Sequence, residues 1–230
     1  MRGETDMLGR RITTIITHDV LYSNSAYTRV KLCGMFREED IEAVNVAAPD
    51  LCGFVVNRPK SHRHVDRDRL WALVSRLDPS IPAVGVFVDQ PLGYVSELAD
   101  EVLDVVQLHG IEGNPYITFL RELVDIPIIQ AIELRTREDV ERANESKADF
   151  VLLDIGRDAN GRPDQSLLPG LCRPFVLSGG LTPDGVARDI AEVAPWGVDM
   201  SSGLETDGLK DPEKMRAAVA AVRGATPRQT

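Results

Sequence analysis

Eight short β-rich runs recur along most of this chain: TRVKLC, LCGFVVN, AVGVFVD, VVQLHG, PIIQAI, FVLLDI, PFVLSG and GVDMSS. Between most of them lie stretches with helical apolar spacing, such as REEDIEAVNVA, DRDRLWALVSRL, REDVERANES, TPDGVARDIAEV and DPEKMRAAVAAV. Several open on Asp or Thr, whose side-chain oxygens accept from the unpaired N–H groups of a first helical turn. Strand followed by helix, eight times over roughly 200 residues, predicts a single-domain α/β protein, a (βα)8 barrel. An open doubly wound sheet is the alternative. It usually has fewer strands, and no GxGxxG turn is present to support it. The sixth connection, GRDANGRPDQSLLPGL, has few apolar positions before Leu167 and predicts only a short helix.

The barrel is expected to span residues 27–224, with 225–230 as a tail. Residues 1–26 stand apart. Their RRITTIITHDVLYSNSAY stretch could form a short strand or an apolar patch, and a flexible or loosely docked extension is the expectation. No internal repeat or low-complexity segment is found.

A formal net charge of -10 argues against a general nucleic-acid or anionic-membrane surface and favours a discrete small-molecule site. Cys33, Cys52 and Cys172 are odd in number and widely spaced, so neither a disulfide framework nor a zinc site is expected. With no long apolar run and no apolar h-region near the start, a cytoplasmic location is the expectation.

Alternate residues of a barrel strand face the interior, and active sites lie at the C-terminal strand ends. Parity therefore selects candidates. Lys31 and Cys33 share the inward face of the first strand. An ammonium beside a thiol lowers its pKa and would supply a thiolate base or nucleophile. The competing reading is an inert buried cysteine, but a lysine inside a barrel needs a charged or polar partner. Leu152 and Asp154 share a face of the sixth strand, which puts the carboxylate at the mouth. Gln107 and His109 share a face of the fourth strand, and His109 reads equally well as a structural histidine. Asp199 and Ser201 share a face of the eighth.

The seventh and eighth strands end in SGGLTPDG and SSGLETDG. Small residues there expose backbone N–H groups suited to phosphate, a recurring use of these two loops in this fold. Gly179, Gly180, Ser202 and Gly203 are the candidates. After the second strand, NRPKSHRHV carries Arg58, Lys60 and Arg63, and Arg63 offers a fork for a carboxylate. His62 and His64 lie two apart with no third ligand indicated, so no metal is expected.

These segments resemble the phosphoribosylanthranilate isomerase family from about Val30 to Val222. KLCG is similar to the family's opening KICG, GFVVNRPKSHRHV to its GFVF-x-PKSPRYV, and VGVFV and VQLHG to its later strands. The LLD at 152–154, SGGLTPDGV and GVDMSSGLE…GLKDPEKM follow in the family's order. The resemblance implies a TIM barrel with no metal or organic cofactor. It implies an Amadori rearrangement of N-(5-phosphoribosyl)anthranilate to the 1-deoxyribulose 5-phosphate in tryptophan biosynthesis. A monomer or homodimer is the expectation. Position by position, it implies Cys33 as general base, Asp154 as general acid and Arg63 at the anthranilate carboxylate. It also implies the glycine loops at the phosphate, and the inward faces make Lys31, Gln107, His109 and Asp199 the expected substrate contacts. On this reading Lys31 helps keep Cys33 ionised.

The chain departs from the family pattern after Asp154, where GGTG-x-x-FDW is replaced by a shorter stretch, DIGRDANGRPDQSLL. Gln130 stands where lysine is common, and Ile111 with Glu112 follows QLHG. A silent phosphosugar-binding barrel and a related isomerase of the histidine pathway are the competing readings. The latter chemistry uses an aspartate where this chain has Cys33.

Overall fold

The computed structural model describes residues 13–22, 27–161 and 163–225. Eight parallel strands form the centre: β1 Arg29–Cys33, β2 Leu51–Val56, β3 Ala83–Phe87, β4 Val105–Leu108, β5 Ile128–Leu134, β6 Phe150–Ile155, β7 Phe175–Ser178 and β8 Gly197–Met200. Each strand pairs with the next, and β1 also pairs with β8, so the sheet closes into a barrel. A two-residue strand, His64–Val65, extends the edge of β2.

The helices are α1 Thr13–Tyr22, α2 Glu38–Ala47, α3 Arg67–Val74, α4 Leu92–Glu101, α5 Asn114–Arg121, α6 Arg137–Glu145, α7 Val186–Val193 and α8 Pro212–Gly224. Two of the expected caps form, with Asp66 accepting from the Arg69 N–H at 2.8 Å and Asp211 from the Glu213 N–H at 2.9 Å. Thr182 does not cap α7, whose N-cap is Gly185, while Thr136 and Asp139 make a reciprocal capping box on α6. The sixth crossover holds only a 3-10 turn, Leu168–Gly170, because few apolar side chains are available there to dock a longer helix.

Two apolar layers result. The larger lies between the barrel's outer face and the helices, and includes Leu32, Phe54, Phe87, Leu98, Leu153 and Met215. The smaller gathers Leu51, Val84, Val105, Ile129, Leu152 and Val176 from six strands, together with Leu21 of α1. Parity places these strand residues inside the lower barrel.

Part of the N-terminal stretch therefore packs on the barrel. Leu21 is 2% exposed and Thr17 3%. Tyr22 packs on Phe150, which stacks on Trp196 at 4.8 Å between ring centroids. Leu21 thereby covers the smaller apolar layer at the N-terminal end of the barrel. The rest of residues 1–12 and 23–26, and the tail residues 226–230, lie outside the described residues. A cavity of about 430 Å³ lies beside α1, lined in part by His18, Asp104, Arg121 and Asp149, at the end of the barrel opposite Cys33 and Asp154.

Candidate active site

Strands β1 and β8 run in register so that Lys31 faces Asp199. The Lys31 ammonium donates to both carboxylate oxygens at 2.9 Å. Both residues are buried. Cys33 lies two positions further along, at the top of β1, and is 6% exposed. It faces Gly53 of β2, where a side chain would collide: a Cβ there would come within 2.7 Å of the Cys33 Sγ and 3.0 Å of Lys31 Cε. The missing side chain at Gly53 is what lets thiol and ammonium share this corner.

The electrostatics depart from the simple pairing expected from sequence. Burial raises the Cys33 thiol above its ordinary value, Asp199 raises it further, and Lys31 opposes both. Burial also works against the Lys31 ammonium, but Asp199 and Cys33 together outweigh it and raise its pKa. Lys31 still favours the thiolate, but burial and Asp199 outweigh it. Asp199 already neutralises Lys31, so the thiol feels a paired ammonium in a desolvated pocket.

Asp154 ends the inward face of β6. Burial raises its carboxyl pKa, His109 lowers it, and Glu133 and Asp199 raise it again. This favours a proton on the carboxyl, as a general acid requires. Gly179 makes room for it, since a Cβ there would sit 2.7 Å from Asp154 Oδ1. On β4, Gln107 Nε2 lies 3.1 Å from His109 Nδ1, while Gln107 Oε1 is buried with no partner. His109 reaches solvent at the mouth, yet burial by the surrounding wall still lowers its pKa, with Asp199 opposing and Lys31 adding to the drop. The neutral ring is favoured, and the pair belongs to the mouth rather than to a separate structural cluster.

Arg63 arrives on the loop after β2 and lies over Gly34, the residue after Cys33. Its guanidinium is already engaged. Nε and Nη2 donate to the two Glu205 oxygens at 2.5 and 2.9 Å. Lys210 Nζ donates to the same carboxylate at 2.9 Å and to the Ser201 carbonyl at 2.9 Å. Glu205 is consequently held down to about 2, against the pull of burial, by hydrogen bonds from Arg63 and Lys210. The pair uses the Nε–Nη2 edge of Arg63 and leaves the Nη1 end outside it. A second carboxylate can approach there. His64 Nδ1 accepts from the Arg58 N–H at 3.1 Å, a loop-shaping role. Among the described residues no group of three or more His, Cys, Asp or Glu side chains is arranged to hold a metal ion.

The two glycine loops meet. A Cβ on Gly203 would lie 2.0 Å from the Leu181 carbonyl oxygen, so the Ser202–Leu204 turn packs directly on the loop after β7. Gly179 and Gly180 take φ of 105° and 59°, a region that favours glycine. Ser201 Oγ donates to the Cys33 carbonyl at 3.1 Å and ties this side of the mouth to β1.

Gly53, Glu205 and Lys210 were not singled out from the sequence. Gly53 carried a signal, a glycine inside a strand run, which marks close approach by another group. Glu205 and Lys210 lie on the short ribbon Glu205–Thr206 and Leu209–Lys210, whose pairing no residue pattern announced.

A family profile described as N-(5'phosphoribosyl)anthranilate (PRA) isomerase matches residues 30–221. The chain belongs to this isomerase family. Relatives named N-(5'-phosphoribosyl)anthranilate isomerase from Endomicrobium trichonymphae and Acetivibrio thermocellus are each 38% identical, covering 85% and 86% of this chain and 98% and 97% of theirs. A crystal structure of phosphoribosyl anthranilate isomerase with reduced 1-(o-carboxyphenylamino)-1-deoxyribulose 5-phosphate is 34% identical, with a TM-score of 0.74, covering 86% of this chain and 99% of its own. The Thermotoga maritima isomerase gives a TM-score of 0.73 at 32% identity, covering 86% and 99%. Gln130 is hydrogen-bonded at both ends of its amide. It donates to the Glu112 carbonyl at 2.8 Å and accepts from Ser146 Oγ at 2.5 Å.

Proposed function

We infer that the barrel mouth carries out the isomerase family's Amadori rearrangement with Cys33 and Asp154 as its proton-transfer pair. The substrate is N-(5-phosphoribosyl)anthranilate and the product 1-(2-carboxyphenylamino)-1-deoxyribulose 5-phosphate. The observation that carries this reading is a thiol beside the buried Lys31–Asp199 pair at the end of β1, with a carboxyl biased toward its protonated form at the end of β6.

Asp154 donates its proton to the ribose ring oxygen, and the ring opens to an iminium at C1. Cys33, as thiolate, then takes the proton from C2, which the iminium has acidified. The enolamine tautomerises to the 2-ketone. The raised thiol pKa makes the thiolate scarcer but a stronger base once formed. Lys31 and Asp199 position the thiol, and Gln107 and His109 line the substrate's path. Arg63 meets the anthranilate carboxylate through its Nη1 end while Glu205 holds its other edge. Gly179, Gly180, Ser202 and Gly203 receive the phosphate with backbone N–H groups. No cofactor enters any step.

The relative solved with a phosphorylated reduced product supports a phosphosugar ligand. Another structure shows monomers generated from the dimeric Thermotoga maritima isomerase, which supports a monomer or homodimer here. Among the described residues no helix is long and apolar enough to cross a membrane, and the reading includes a cytoplasmic location. Assaying the purified chain on freshly made phosphoribosylanthranilate tests the proposal. Turnover lost in both Cys33→Ala and Asp154→Asn is the expected result. Tight binding of the reduced product without turnover would instead leave a phosphosugar-binding barrel.

A further inference from the structure

The stretch after Asp154 lacks the family's glycine-rich segment, but it is not loose. Arg157 faces Pro163 in an isolated antiparallel bridge, and the Asp164 N–H donates to the Gly156 carbonyl at 2.9 Å. Arg157 then reaches across to β7. Its Nε donates to the Gly179 carbonyl at 2.9 Å. Its Nη1 donates to the Gly161 carbonyl at 2.9 Å and to Asp189 Oδ2 at 2.8 Å. Its Nη2 is buried with no partner. The guanidinium also lies against Gly180, where an added Cβ would stand 3.4 Å from Nε.

Asp189 explains why a cation is needed there. It is 0% exposed, in the first turn of α7 behind the loop of Gly179 and Gly180. A buried carboxylate so close to a phosphate site opposes an incoming dianion. Arg157 and Arg188 both contact it. Arg157 alone of these two also holds the phosphate loop's own backbone. Gly179 in turn abuts Asp154 and the Ile155 carbonyl.

We propose that Arg157 is a positioning residue for the substrate's phosphate, taking over work that a glycine-rich closing loop does elsewhere in the family. It fixes the Gly179 carbonyl so that the neighbouring N–H groups stay turned toward the phosphate. It also cancels the Asp189 charge behind them and presents a further donor, Nη2, at the back of the loop. The specificity that follows is for a phosphorylated sugar over its dephosphorylated form. This rests on the assignment of the two glycine loops to phosphate.

Calorimetric titration with reduced 1-(2-carboxyphenylamino)-1-deoxyribulose 5-phosphate tests it on the full chain. R157M should weaken binding about tenfold or more, the scale of a lost charge-assisted contact. D189N should bind as tightly as wild type or tighter, because it removes the opposing charge. The double variant R157M/D189N leaves no buried carboxylate orphaned by the first change and should still bind weakly. Steady-state kinetics should show the R157M defect mainly in KM. R157M binding within twofold of wild type would overturn the proposal. So would D189N weakening binding as much as R157M, which makes the bridge a structural strap only, or a double variant restored to wild-type affinity, which leaves no part for the hold on Gly179 or for Nη2. A wild-type chain unable to bind the reduced product would remove the phosphate site itself, and the inference with it.

Discussion

Lys31 and Asp199 form a two-oxygen ion pair inside the barrel, one strand apart, with the Cys33 thiol as their neighbour. Neither partner is tolerable there alone. Lys31→Met should therefore cost about 3–5 kcal/mol, the penalty of leaving a buried carboxylate unpaired. The double variant Lys31→Met/Asp199→Val should recover most of that stability, since a packed apolar pair often replaces a buried ion pair at little net cost. It should not recover turnover, because Cys33 would lose the ammonium that favours its thiolate. Urea denaturation and steady-state rates on the three proteins check both halves. An active double variant would reduce the pair to a structural element.

The pH profile follows from the two proton-transfer groups. Both have raised pKa values, Asp154 and Cys33 chiefly through burial. The active form needs the carboxyl protonated and the thiol ionised, the reverse of the order in which free groups titrate. The active fraction is then small but flat between the two pKa values, and kcat/KM is bell-shaped. We expect an acid limb above the usual Asp value of about 3.9 and an alkaline limb above the usual Cys value of about 8.5. Cys33→Ala should abolish the alkaline limb along with nearly all activity. An alkaline limb that persists at wild-type rate in that variant would remove Cys33 from the mechanism.

Glu205 is ionised well below the ordinary carboxylate range, at about 2. A depressed folded-state pKa stabilises the fold above the unfolded value, about 4.3 for Glu, and that contribution fades as pH falls toward 2. Glu205→Gln should flatten the acid side of a stability–pH curve between those values. It should also free the second edge of Arg63, raising KM by loosening the fork while sparing kcat. Arg63→Met removes the carboxylate anchor outright and should weaken binding of the reduced product by about 1.5–3 kcal/mol. Unchanged affinity in Arg63→Met would place the anthranilate carboxylate elsewhere.

The barrel was legible because period-2 apolar runs and capped helical stretches alternate with little interruption. Parity was equally readable, so Lys31 and Cys33 could be put on one inward face and Asp154 at the mouth before any geometry. What parity cannot convey is how charges cancel across strands. The partner of Lys31 is 168 positions away, and only the closure of β1 on β8 brings Asp199 to it. The Arg63–Glu205 pair is hidden for the same reason, spanning 142 positions. The seat of Leu21 is hidden in the same way, because the lower end of the barrel that receives it exists only once eight strands have closed.

The last prediction concerns Gly53, whose single hydrogen in place of a side chain sets the geometry of the base. An added Cβ would stand 2.7 Å from Cys33 Sγ and 3.1 Å from Lys31 Nζ. The backbone cannot retreat, because the N–H groups of Gly34 and Met35 both donate to the Gly53 carbonyl, at 2.8 and 3.1 Å. Side chains must move instead, and the thiol is the nearest. Gly53→Ala should lower kcat on the order of 100-fold, the loss expected when a reacting group is displaced by about 1 Å. Overpacking should cost about 1–3 kcal/mol of stability, partly offset by the better strand propensity of alanine. The same substitution in a Cys33→Ala background should reduce the residual rate no further, because no base is left to displace. Two residues in contact that act through one step are non-additive in this way. Full additivity of the two losses would mean that Gly53 serves the fold and not the thiol.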